Sequence, residues 1–145
     1  MLRKSSLCMA LLVAGCAGSG IETIPVGLSK GVTIEFPADK STRVEGANIS
    51  FYTQDGFLGY VQKDALPAEE QPGTEFVRRG LALTKQKGWE HKEVSRAPFV
   101  GDVVYLEGTA TLHLASSEDK ETFYTISTSD SSKIDQILAT LRTSQ

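Results

Sequence analysis

Residues 102–127 read DVVYLEGTATLHLASSEDKETFYTIS, and this stretch decides the fold. From Asp102 to Ala115 two sets of side chains alternate. Val104, Leu106, Ala110, Leu112 and Leu114 fall on one side, and Val103, Tyr105, Glu107, Thr109, Thr111 and His113 on the other. A period of two marks a strand with one face in a core. Ser116–Lys120 (SSEDK) is polar and turn-forming, so it reads as a hairpin tip, and Glu121–Ser127 returns as the partner strand. Strands joined by so short a link run antiparallel.

Working outward, the same period recurs. Gly31–Pro37 alternates with Val32, Ile34 and Phe36 on one face and ends at proline. Asn48–Gln54 sets Ile49 and Phe51 against Ser50, Tyr52 and Gln54. Asp55-Gly56 is a strong hairpin turn signal, with Phe57–Lys63 as the return strand. Ala65–Gly73 holds Pro67 and Pro72 and reads as a loop, Trp89–Arg96 as a strand, and Pro98–Gly101 as a turn.

Two segments change to a helical period. Over Thr74–Gly88, Phe76, Val77, Gly80, Leu81 and Thr84 share a face, with Thr74 as the expected N-cap and Gly88 just past the end. The last helix starts at Asp130 or Ser131 and places Ile134, Ile137, Leu138 and Leu141 on one stripe. The order β, ββ, α, βββ, α predicts an α+β domain: an antiparallel sheet with two helices packed on it. One sheet face is apolar (Ile34, Phe36, Ile49, Phe51, Leu106, Leu112). The other is mixed (Tyr52, Gln54, Tyr105, Glu107, Thr109, Thr111, His113). That mixed face is either an open protein-contact surface or the seat of the C-terminal helix.

Composition bounds the function. The chain has 145 residues, one domain's worth, with 40% apolar and 23% charged residues and a net charge of -3. This excludes a disordered chain, a basic nucleic-acid binder and a polytopic membrane protein. Both cysteines, Cys8 and Cys16, lie at the N-terminus, so the rest of the chain has no disulfide framework and no thiolate metal site.

The N-terminus is an address. Arg3 and Lys4 precede an apolar run, Leu7–Val13, that is too short to span a bilayer. It leads into Leu12-Val13-Ala14-Gly15-Cys16, small residues before a cysteine, as in the bacterial lipobox. The expected organisation is a signal peptide over 1–15, an acylated Cys16 with a flexible tether over 16–30, and one binding domain over 31–145. Ala17, in place of aspartate, points to the outer membrane of a Gram-negative cell, with the domain in the periplasm. Two or more acyl chains give stable anchoring without a spanning helix.

Catalytic constellations are missing from the sequence. There is no G-x-S-x-G, no H-E-x-x-H, no EF-hand loop and no phosphate-cradling glycine loop. The paired acids Glu69-Glu70 and Glu118-Asp119 are adjacent residues of loops. The reading is a non-enzymatic binding module with no cofactor and no metal.

Taken together, the lipobox Cys16, the short tether, GVTIEFPADKS (31–41), TQDGFLGYVQKDALP (53–67), EFVRRGLALTKQKGW (75–89) and residues 101–127 resemble the periplasmic immunity lipoproteins of type VI secretion systems. The likeness is strongest to those that neutralise a muramidase effector. The strand and helix order is also similar to PsbP-like domains. The first resemblance implies a protein that binds a cognate peptidoglycan hydrolase and occludes its substrate groove. Candidate contact residues are the tip Gln54, Asp55, Gly56, Phe57 and Tyr60, the tip acids Glu118 and Asp119, and Tyr52 and Tyr105 on the mixed face. For Phe57 the alternative is the first inward residue of its strand, and for the acids it is solubility. The alternative function is an outer-membrane lipoprotein serving as an envelope assembly accessory or a small-ligand carrier.

Overall fold

The computed structural model describes residues 22–28, 31–43 and 48–143. The expected signal peptide over 1–15 and Cys16 lie outside them. The domain is α+β, with an antiparallel sheet and two helices, as expected. The strands are β1 (Ile24–Gly27), β2 (Val32–Phe36), β3 (Lys40–Arg43), β4 (Ile49–Thr53), β5 (Gly56–Ala65), β6 (His91–Arg96), β7 (Phe99–Leu106), β8 (Thr109–Ser116), β9 (Asp119–Thr128) and β10 (Arg142–Thr143). The helices are α1 (Gly73–Lys87) and α2 (Ile134–Ala139). Seven strands form one sheet in the order β3-β4-β5-β9-β8-β7-β6, and β1-β2-β10 form a second.

The long strand over 102–115 is two strands. Glu107-Gly108 turns the chain with φ of 49° and 81°, the left-handed pair that a two-residue hairpin requires. The turn pairs Leu106 with Thr109 and Val103 with Leu112, so even-numbered residues of β7 face the same way as odd-numbered residues of β8. Alternation carried straight through the turn therefore assigns the β7 faces wrongly. Val103 is in the core, and Leu106 is 48% exposed. The turn expected at Pro98–Gly101 shrinks in the same way, because β7 begins at Phe99.

The core lies between the two sheets. Val26, Ile34 and Phe36 from the small sheet meet Phe51, Val61, Leu112, Leu114 and Ile126 from the large one. Phe36 stacks on Phe51 with ring centroids 4.0 Å apart. Above that pair Gly59 is obligatory in size: a Cβ there would lie 2.0 Å from the Ser127 carbonyl oxygen and 3.1 Å from the Phe36 ring. Helix α2 adds Ile134 and Ile137 to this same core, and Leu141 follows just beyond it. It is shorter than expected and is preceded by a 3₁₀ turn over Ser131–Lys133 that Asp130 caps by accepting from the Ser132 N–H.

Helix α1 covers the opposite face, packing on β7, β8 and β9. The mixed face is thus seated under the first helix, not the C-terminal one. The cap differs as well: Pro72 precedes the helix, and Thr74 is a buried member of its stripe with Val77 and Thr84. Gly88 ends the helix as expected.

Part of the tether expected over 16–30 is structured. Ile24–Gly27 pairs with β2, and Val26 is buried, so the domain begins before residue 31. Pro25 is tolerated because β1 is an edge strand. The span Ala65–Gly73 is a loop only from Leu66 onward, and it includes a 3₁₀ turn at Ala68–Glu70. No helix among the described residues is long and apolar enough to cross a membrane.

Candidate functional site

The β4–β5 tip carries the most exposed aromatic ring of the described residues. Register shifts between Phe51 and Tyr52, so Phe51 pairs with Gly59 and Tyr52 with Phe57, leaving Leu58 as the extra residue of a bulge. The bulge turns Leu58 inward and Phe57 outward, at 6% and 52% exposure. Phe57 is therefore not the first inward residue of its strand. Its ring meets the half-buried Tyr52 edge-on at 5.8 Å.

Three loops are tied together beneath that ring. Ser129 Oγ lies 3.1 and 3.0 Å from the Phe57 and Leu58 carbonyl oxygens and donates its one proton to either, and the Ser129 N–H donates to the Leu58 carbonyl at 2.7 Å. The Ser131 N–H donates to the Gly108 carbonyl at 2.8 Å, joining the β7–β8 turn to the loop after β9. Asp39 Oδ2 accepts from the Gln54 N–H at 3.0 Å and so pins the tip from the other side. A cleft of about 700 Å³ results, lined by Glu22, Asp39, Gln54, Asp55, Phe57, Asp130 and Lys133 among others. Its walls carry four carboxylates against one lysine. The Asp130 carboxyl is held below the usual aspartate range by the Ser132 hydroxyl and N–H, with Lys133 adding to the effect.

The remaining candidates do not gather here. Tyr60 pairs with Ser127 in the middle of the sheet and is half-buried. Tyr105 is not on the mixed face. The hairpin parity puts it over the core on the α2 side, where burial, then Asp135, raises its pKa. Glu118 lies in the β8–β9 tip, while Asp119 already belongs to β9. That tip is at the other end of the sheet from Phe57. Strand β9 has ten residues, which sets the two tips about 30 Å apart. They cannot enter one narrow groove together.

Sequence reasoning missed Ser129, Asp130 and Lys133 as parts of this edge. The signal available was the run Ser-Asp-Ser-Ser at 129–132, which is capping chemistry and was legible only as a helix start. Among the described residues no group of three His, Cys, Asp or Glu side chains could hold a metal ion.

Comparison with protein-family models gives no match, and neither does comparison with curated proteins. Among solved structures, the chain is similar to cyanobacterial PsbP (CyanoP) from Synechocystis sp. PCC 6803. The TM-score is 0.46 at 11% identity, over 91% of this chain and 99% of that one.

Proposed function

We propose that this chain is a lipid-tethered periplasmic immunity protein that binds a cognate peptidoglycan hydrolase, a type VI secreted muramidase effector, and blocks its substrate groove. The observation that carries the reading is Phe57, an aromatic anchor held outward by a bulge and fixed from below by Ser129. Binding energy at interfaces concentrates in a few such rings, set in a frame that loses little entropy on docking. The surrounding carboxylates Asp39, Asp55 and Asp130 complement a basic groove and would speed encounter with it.

The address supports the same reading. Five residues separate Cys16 from Glu22, which lines the cleft. An acylated Cys16 would thus hold this edge within about 20 Å of the bilayer, where an arriving hydrolase meets the cell wall. The short span follows from the pairing of Ile24–Gly27 with β2, which takes those residues out of the tether.

The test is capture from a periplasmic extract with the full chain and with its Phe57→Ala variant. The expected result is one dominant, nearly stoichiometric hydrolase, bound at least about thirtyfold more weakly by the variant. Recovery of envelope-assembly machinery instead, or of the hydrolase with equal affinity by both proteins, refutes the assignment of this edge.

A further inference from the structure

On the face covered by α1, the last turns of the helix stand off the β7–β8 hairpin and leave a groove of about 360 Å³. Of the four large apolar side chains exposed among the described residues, three line it: Leu83, Trp89 and Leu106. Single exposed apolar residues are ordinary, but three converging on one concavity are not. The threonine hydroxyls around them are already occupied. Thr84 donates to Gly80 or the buried Asp102, Thr109 donates to the Leu106 carbonyl at 2.6 Å, and Thr111 shares a hydrogen bond with Ser127 at 3.1 Å. A polar ligand would find few partners on these walls.

Two further features narrow the occupant. Burial lowers the pKa of His113, opposed in part by Asp102, so the imidazole is neutral at neutral pH. Lys87 is then the one charged side chain lining the groove, with its Nζ 4.4 Å from the centre of the Trp89 ring. The volume lies at the low end for small-molecule sites, enough for one apolar chain and too small for a two-chain lipid.

We propose that the groove between α1 and the β7–β8 hairpin binds a fatty acid, its chain against Leu83, Trp89 and Leu106 and its carboxylate at the Lys87 ammonium. The site lies on a different surface from the Phe57 edge and does not depend on the immunity reading.

Trp89 is the only tryptophan in the chain, so it reports on the groove directly. The full chain bearing Cys16→Ser, which carries no acyl group of its own, is titrated with octanoate, decanoate and dodecanoate below their micelle concentrations. The expected result is a saturable blue shift of Trp89 emission, with affinity rising about fourfold per added methylene. Leu106→Asp and Leu83→Glu alter side chains already in water, so the fold is kept while binding weakens at least about tenfold at every chain length. Lys87→Gln keeps the dependence on chain length but loses the preference for decanoate over decanol. A response that does not saturate, that has no chain-length slope, or that survives Leu106→Asp overturns the proposal. So does a Trp89 shift seen only with the hydrolase, which would make the groove a protein contact.

Discussion

Gly59→Ala adds a single methyl group, and the structure gives that methyl nowhere to go. Its carbon would sit 2.0 Å from the Ser127 carbonyl oxygen, 3.0 Å from the Ser127 carbonyl carbon and 3.1 Å from Phe36 Cζ. Relief requires β5 and β9 to part by about 1 Å or more, or Phe36 to leave its stack on Phe51, and both rings are fully buried. Overpacking of this kind costs about 1–3 kcal/mol. Parting the strands also strains the Ser129 N–H bond to Leu58 at 2.7 Å and the end of the β5–β9 ladder, about 1 kcal/mol per bond lost. A total of about 3–4 kcal/mol is a large share of a domain's 5–15 kcal/mol. Urea denaturation of the full chain measures it, with Gly27→Ala as the control, because a Cβ there meets nothing within 4 Å. The control should fall within about 0.5 kcal/mol of the parent. A loss below about 1 kcal/mol for Gly59→Ala would refute the packing argument.

Three further outcomes are expected. Thr84→Val should destabilise the domain by about 1–3 kcal/mol, because Asp102 is buried, its Oδ1 has no hydrogen-bond partner among the described residues, and the Thr84 hydroxyl, 3.1 Å from its Oδ2, is a donor within its reach. Chemical denaturation checks this, and a neutral result would mean that Asp102 is solvated after all. His113 has a folded pKa below its ordinary value of 6.5, so the unfolded chain binds its proton first. Its contribution is intact above that value and is lost as pH falls through the lowered one. Melting curves across mild acid should show this slope, and His113→Gln should reduce it. Removing residues 1–15 should leave binding of the hydrolase unchanged in solution and abolish protection of living cells. Full protection by the cytoplasmic form would contradict the periplasmic address.

The sequence carried the class of the fold because alternation and turn chemistry agreed where strands were long. Asp55-Gly56 marked its hairpin, Gly88 marked the end of α1, and Asp130 marked the start of the last helical stretch. The failures have particular causes. Glu107-Gly108 interrupts no pattern, since Leu106, Gly108 and Ala110 keep the apolar beat across the turn, and the facing of β7 was lost with it. Strand β1 contains a proline and buries Val26 alone among its four residues, β3 (Lys-Ser-Thr-Arg) has no apolar residue, and β10 is two residues long. Such strands exist because a neighbour offers hydrogen bonds, which no local period records. The site followed the same rule. Phe57 was visible as a tip residue, but the bulge that turns it outward and the tie from Ser129, 72 residues away, come from tertiary pairing. The groove of Leu83, Trp89 and Leu106 needed the corrected β7 facing before it could be seen at all.

The most direct measurement is a titration of peptidoglycan cleavage by the purified cognate hydrolase with the full chain, repeated at several concentrations of a soluble glycan substrate. Obstruction of the groove predicts that cleavage falls to zero near an equimolar ratio and recovers as glycan is added, because protein and sugar compete for one cleft. Undiminished cleavage at saturating protein, or inhibition indifferent to the glycan, would contradict it.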